Sequence, residues 1–154
     1  IVAGVVLLPA TAWAKGAKDV TITGPGLATP VHLENAAGPT TVEVNRLAEA
    51  TGLFYAAFRA KPTPMVEQRP AGRLGPRYRA AYELYVAQDK VEVVRQDLYP
   101  FAAAGFVSYT PPGQRAFEHR TQSGWYVSTN STSATAMLVS VGASRLPIRQ
   151  SRSS

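Results

Sequence analysis

The chain has 154 residues, with 16 lysines and arginines against 10 aspartates and glutamates, a formal net charge of +6, and 45% hydrophobic residues. That composition belongs to a folded chain, and a length of this kind leads to the expectation of one domain rather than a multidomain enzyme. There is no cysteine, which excludes disulfides, thiolate metal sites and cysteine nucleophiles.

The first eight residues, Ile1 to Leu8, are all apolar or small. Pro9 interrupts them, and Ala12-Trp13-Ala14 then precedes Lys15. An apolar run followed by small residues at alternate positions is the pattern of a secretory signal peptide and its cleavage box. Residues 1–14 are therefore expected to leave by cleavage after Ala14, with the N-terminus of the signal truncated and a basic segment expected upstream. A membrane-spanning helix needs ~20 apolar residues, so no stable span is expected after cleavage. Further apolar residues upstream would instead make an anchor. Residues 15–143 are expected as one globular domain, and the Arg- and Ser-rich residues 144–154 as a flexible tail. An exported domain without cysteine must be held by its core rather than by disulfides.

The elements follow in order. Asp19 to Thr23 alternates and is β-branched, which predicts a strand stopped by Gly24-Pro25-Gly26. Val31 to Leu33 is a second, short strand, pairing as a hairpin. Residues 41–51 predict a helix, because Val44, Leu47, Ala48 and Thr51 recur at helical spacing and Gly52 can terminate it. Residues 53–58 are a short apolar run, either buried strand or further helix. Residues 60–76 hold four prolines and two glycines and predict a surface loop. Tyr78, Ala80, Tyr82, Leu84 and Val86 alternate with Arg77, Arg79, Ala81, Glu83 and Tyr85, which predicts a half-buried strand with the first set facing the core, and 91–99 return. A four-residue turn would set Val86 opposite Val91, Tyr82 opposite Arg95 and Ala80 opposite Asp97. That register puts charges on the core face, so a bulge near Val93-Val94 is expected to turn Leu98 inward. Short strands are predicted at 106–109 and 124–128, and a helix at 133–141. The expected fold is α+β: an antiparallel sheet of about five to seven short strands with one or two short helices packed on it.

Five stretches are similar in combination to a known group. They are Val20-Thr21-Ile22-Thr23-Gly24-Pro25-Gly26-Leu27, Leu74-Gly75-Pro76-Arg77-Tyr78, Arg95-Gln96-Asp97-Leu98-Tyr99-Pro100-Phe101-Ala102, Tyr109-Thr110-Pro111-Pro112-Gly113-Gln114 and Gly124-Trp125-Tyr126. Together they resemble small exported proteins of actinobacteria, a family with no known function, over roughly residues 18–142. The resemblance implies export and carries no catalytic residues to transfer.

Chemistry candidates are few. The two histidines, His32 and His119, lack the close spacing of a metal site, and neither metal nor cofactor is expected. No G-x-S-x-G occurs, and Ser123 near Glu118 and His119 is the nearest approach to a serine hydrolase. Among Glu83, Glu92, Asp97 and Glu118, only Asp97 has apolar flanks, and an ion pair with Arg77, Arg79 or Arg95 is its expected role. Gly24-Pro25-Gly26 lacks the residues of a phosphate loop and reads as a turn. The remaining signal is basic. Arg73, Arg77, Arg79 and Arg95 surround the central hairpin, interleaved with Tyr78, Tyr82, Tyr85 and Tyr99, and Arg145, Arg149 and Arg152 lie toward the end. Arginine beside aromatic faces suits anionic polymers.

Arg77, Arg79 and Arg95 are thus the candidate anion-binding residues. The expected function is a secreted or envelope-associated, non-enzymatic accessory or binding module. Its partner would be an anionic envelope polymer or another envelope protein, with no nucleic acid. The alternative is a small extracellular hydrolase acting on envelope material.

Overall fold

Alternating apolar residues build the centre of the molecule. A computed structural model describes residues 16–34 and 42–145. The expected signal segment and the residues beyond Arg145 lie outside the described residues. The strands are β1 (Ala17–Thr23), β2 (Val31–Glu34), β3 (Tyr78–Ala87), β4 (Lys90–Ala102), β5 (Gly105–Thr110), β6 (Arg115–Ala116), β7 (His119–Arg120) and β8 (Gly124–Val127). The helices are α1 (Val42–Ala50), α2 (Leu53–Phe58) and α3 (Ser131–Ser140). Six strands form one antiparallel sheet in the order β2-β1-β3-β4-β5-β8, and β6 and β7 form a separate small hairpin. The fold is α+β, with one more helix than expected among the described residues. None of the helices there is long and apolar enough to cross a membrane.

The helices lie on one face of the sheet. Helix α1 buries Val44, Leu47 and Ala48, the face that helical spacing predicted. Gly52 then takes φ 71, left-handed geometry that favours glycine, and the chain turns into α2. The undecided run 53–58 is therefore helical. Helix α3 buries Ala134 and Leu138 and begins two residues before the expected start. Its Ser131 hydroxyl accepts the Phe106 N–H at 2.9 Å, which ties the helix to β5.

The central hairpin departs from the expected register. Tyr85 faces Val91, Tyr82 faces Val94 and Ala80 faces Gln96, each one residue away from the expected partner. The cause is the turn. Only Gln88 and Asp89 lie between the paired residues Ala87 and Lys90, and the register shifts between Tyr85 and Ala87. The bulge thus sits at Val86, beside the turn, rather than near Val93-Val94. Its effect is the expected one: Val94, Gln96 and Leu98 turn into the core, and Arg95 and Asp97 turn out. Strand β4 also runs through Pro100 to Ala102, beyond the expected stop at Tyr99.

Under the helices the sheet presents Val20, Ile22, Tyr78, Tyr82, Leu84, Val94, Leu98 and Phe106, all buried. Side chains of this size contribute ~1.5–3 kcal/mol each when fully buried. A polar knot lies among them. The Thr51 carbonyl accepts from the Ser108 hydroxyl at 2.6 Å and from Gln96 Nε2 at 3.2 Å. Gln96 Nε2 also donates to Thr110 Oγ1, and Thr51 Oγ1 pairs with the Tyr82 hydroxyl at 3.2 Å. Burial raises the pKa of that tyrosine strongly, which keeps it neutral. Gln96 Oε1 is buried with no partner among the described residues.

Of the expected tail, Ser144 and Arg145 are described. Ser144 N–H donates to the Tyr78 hydroxyl at 3.1 Å, and the Arg145 guanidinium lies 5.5 Å from the centre of the Phe101 ring.

Candidate functional site on the open face of the sheet

The face away from the helices is sorted into cross-strand rows. In one row Thr23 pairs with Arg79, Arg79 with Asp97, Asp97 with Tyr109, and Tyr109 with Trp125. In the next, His32 pairs with Thr21, Thr21 with Ala81, and Ala81 with Arg95. In the third, Glu34 pairs with Asp19 and Asp19 with Glu83. The face therefore grades from an aromatic row in which Arg79 and Asp97 balance in charge, through a row that carries Arg95, to an acidic one.

Ala81 is the smallest residue between the longer side chains of Thr21 and Arg95, so the middle row is dented. The dent opens into a groove of about 370 Å³, walled by Thr21, Thr23, Arg79, Arg95, Asp97 and Pro111. Both arginines are exposed. Arg79 Nε lies 3.8 Å from Asp97 Oδ1, a loose pair with the arginine side chain 63% exposed, worth little to stability. Arg95 has no side-chain partner among the described residues. Its backbone is held instead. Arg95 N–H donates to Gln114 Oε1 at 2.7 Å, and Gln114 Nε2 donates to the Arg95 carbonyl at 2.9 Å. The Gln114 amide thus continues the ladder where β5 has ended.

An aromatic platform adjoins the groove. Tyr109 and Trp125 have ring centroids 4.5 Å apart, and Tyr99 lies 5.9 Å from Trp125. Burial, reinforced by the Asp97 charge, raises the pKa of Tyr99, and the Arg77 and Arg69 guanidiniums beside it oppose the rise. The loop over 60–76 is pinned to this end. Val66 bridges Trp125 through two backbone hydrogen bonds, and the Ala103 N–H donates to the Arg73 carbonyl.

The candidate arginines are thus divided between neighbouring places. Arg79 and Arg95 flank the groove, and Arg77 stands by Tyr99. Of the tyrosines that interleave with them in sequence, Tyr78 and Tyr82 point into the core, on the face that alternation assigns them. Tyr109 and Trp125 take their place. Correct strand order, with the bulge at Val86, is what identifies them.

The acidic row binds the edge of the sheet together. Asp19 is buried, and its pKa is raised by that burial and by the Glu83 charge, with His32 opposing. Lys18 Nζ pairs with Glu83 at 3.4 Å. His32 Nδ1 lies 3.0 Å from Thr21 Oγ1, and its Nε2 lies 3.2 Å from Glu34 Oε1 and 3.7 Å from Asp19 Oδ2. A hydroxyl, an imidazole and two carboxylates therefore line up here. His119 is elsewhere: its Nε2 contacts the Ala57 carbonyl at 3.0 Å and joins β7 to α2. Among the described residues, Ser123 does not hydrogen-bond it. No cluster of three or more metal-ligating side chains occurs among the described residues. Comparison with protein-family models, with curated proteins and with solved structures finds no match to this chain.

Proposed function

We propose that this chain is an exported, envelope-associated binding module, without catalytic activity, that holds an anionic envelope polymer on the open face of its sheet. The observation that carries the reading is the groove flanked by Arg79 and Arg95 with an aromatic platform beside it. Guanidiniums grip phosphate or carboxylate oxygens in pairs, and flat rings give polymer units a surface to stack on. Co-sedimentation with purified Gram-positive cell wall tests it. The wild type should sediment at low salt and release as salt rises, because exposed charges are screened within about 8 Å at physiological ionic strength. Arg79→Gln/Arg95→Gln should abolish sedimentation. Arg79→Lys/Arg95→Lys should weaken it although charge is kept. No sedimentation of the wild type at low salt sinks the reading.

A second reading, a small extracellular hydrolase, is favoured by the Thr21–His32–Glu34 alignment, in which the imidazole could take the hydroxyl proton. Against it, the β1 N–H groups are committed to ladders with β2 and β3, and donors aimed at a developing oxyanion supply much of such catalysis. Dye release from labelled cell wall separates the two. Release that His32→Gln abolishes would establish the hydrolase and overturn the binding module.

A further inference from the structure

On the helical side, a cleft of about 640 Å³ opens where α1 and α2 meet the start of α3, within the range of small-molecule sites. We propose that this cleft binds a neutral saccharide, at a site separate from the arginine groove.

The floor is aromatic. Tyr126 is buried, and Tyr55, 40% exposed, leans on it with ring centroids 5.7 Å apart at 50°. Gly52 makes this floor possible, because a β-carbon there would come within 2.6 Å of the Tyr126 ring. The rim is polar and comes from both sides: Arg46 and Glu49 from α1, Asn130 and Ser133 from the start of α3. None of these four side chains has a hydrogen-bond or ion-pair partner among the described residues. Asn130 is the clearest case. It occupies the position that caps α3, yet its side chain makes no capping bond, although asparagine there ordinarily makes one.

The rim chemistry selects the ligand. Arg46 and Glu49 cancel in charge, so the cleft does not favour an anion, in contrast to the open face. A purely apolar ligand would strip water from four polar groups and return no hydrogen bonds. A pyranose ring answers both parts. Its C–H face lies flat on Tyr55, and its hydroxyls donate to Glu49 and accept from Arg46, Asn130 and Ser133.

The test is a titration of the isotopically labelled full chain, followed by amide chemical shifts, with chitotriose, maltotriose and mannotriose, and separately with inorganic polyphosphate. At least one sugar should give saturable shifts at Glu49, Tyr55, Asn130 and Ser133, with Kd near the ~1 mM that a small polar interface yields. Tyr55→Ala should weaken binding at least about tenfold, with some loss of stability from the lost contact with Tyr126, and Asn130→Ala should weaken it severalfold with unchanged thermal unfolding, since that side chain is exposed and makes no capping bond. Arg79→Gln/Arg95→Gln should leave sugar binding intact, so loss of polymer sedimentation and loss of sugar binding are read independently. The proposal is overturned if all three sugars fail to saturate, if Tyr55→Ala leaves binding unchanged, or if polyphosphate moves the same amides.

Discussion

The two faces of the central sheet come from the same strands by alternation, yet they are built on opposite terms. Beneath the helices, Tyr82 and its neighbours are wholly enclosed, and each hydroxyl and amide in the polar knot is held by a specific partner except Gln96 Oε1. On the open face, Arg79 and Arg95 keep their charges in water, and their side-chain pairings are loose or, among the described residues, lacking. The difference teaches where substitutions should register. Changes on the covered face should appear as lost stability, and changes on the open face as altered binding at nearly constant stability.

The largest effect should come from Tyr82→Ala, which empties a fully buried ring site and should cost ~3–5 kcal/mol. Denaturant unfolding would show it, and a cost within about 0.5 kcal/mol, the range of surface substitutions, would break the assignment of faces. Tyr82→Phe removes only the bond to Thr51 and should cost about 1 kcal/mol. Gly52→Ala comes next. A residue with a β-carbon is strained at φ 71, and the added atom meets Tyr126, so a loss of ~2 kcal/mol is expected from strain and displaced packing together. Because Tyr126 floors the helical cleft, the same variant should also weaken sugar binding.

Asp19 lies on the open face but is buried, and it sharpens the comparison through pH. Its pKa is higher folded than the ordinary 3.8, so the folded state holds its proton more tightly than the unfolded chain does. Stability from this group is therefore greatest below pH 3.8 and declines as pH rises through the folded pKa. Asp19→Asn removes that decline. The variant should unfold at a higher temperature than wild type at pH 7, with the gap closing toward pH 3.5. A gap that widens on acidification would show that the Asp19 charge is stabilising. Arg79→Gln/Arg95→Gln should have the smallest effect on unfolding, within about 0.5 kcal/mol, while removing polymer binding.

The covered face was largely readable before any coordinates. Alternation in 78–86 and helical spacing in 44–51 named Tyr82, Leu84, Val44 and Leu47 as core, and all are buried. Such positions announce themselves because burial imposes a period. The hairpin register did not, since Ala87-Gln88-Asp89-Lys90 has no glycine or asparagine to declare a two-residue turn. The one-residue shift moved Arg95 and Asp97 to the opposite face from a bulge-free pairing. The platform of Tyr109 and Trp125 was hidden for another reason. It depends on β8 lying beside β5 across the small hairpin of residues 115–120, a long-range pairing that local pattern does not encode. The cleft was hidden in the same way, because Arg46 and Asn130 meet only through the packing of α1 against α3.

The bridge between Val66 and Trp125 has a consequence for how this sheet can meet another. Both backbone groups of Trp125 that point away from β5 are occupied by Val66, so one margin of the sheet is partly sealed by its own chain. At the other margin, β2 has no strand beyond it among the described residues. An edge that offers free N–H and C=O groups invites pairing with a neighbouring chain. Among the described residues, β2 is therefore the more open margin for strand addition, and pairing two copies edge to edge through it would occupy that margin of each.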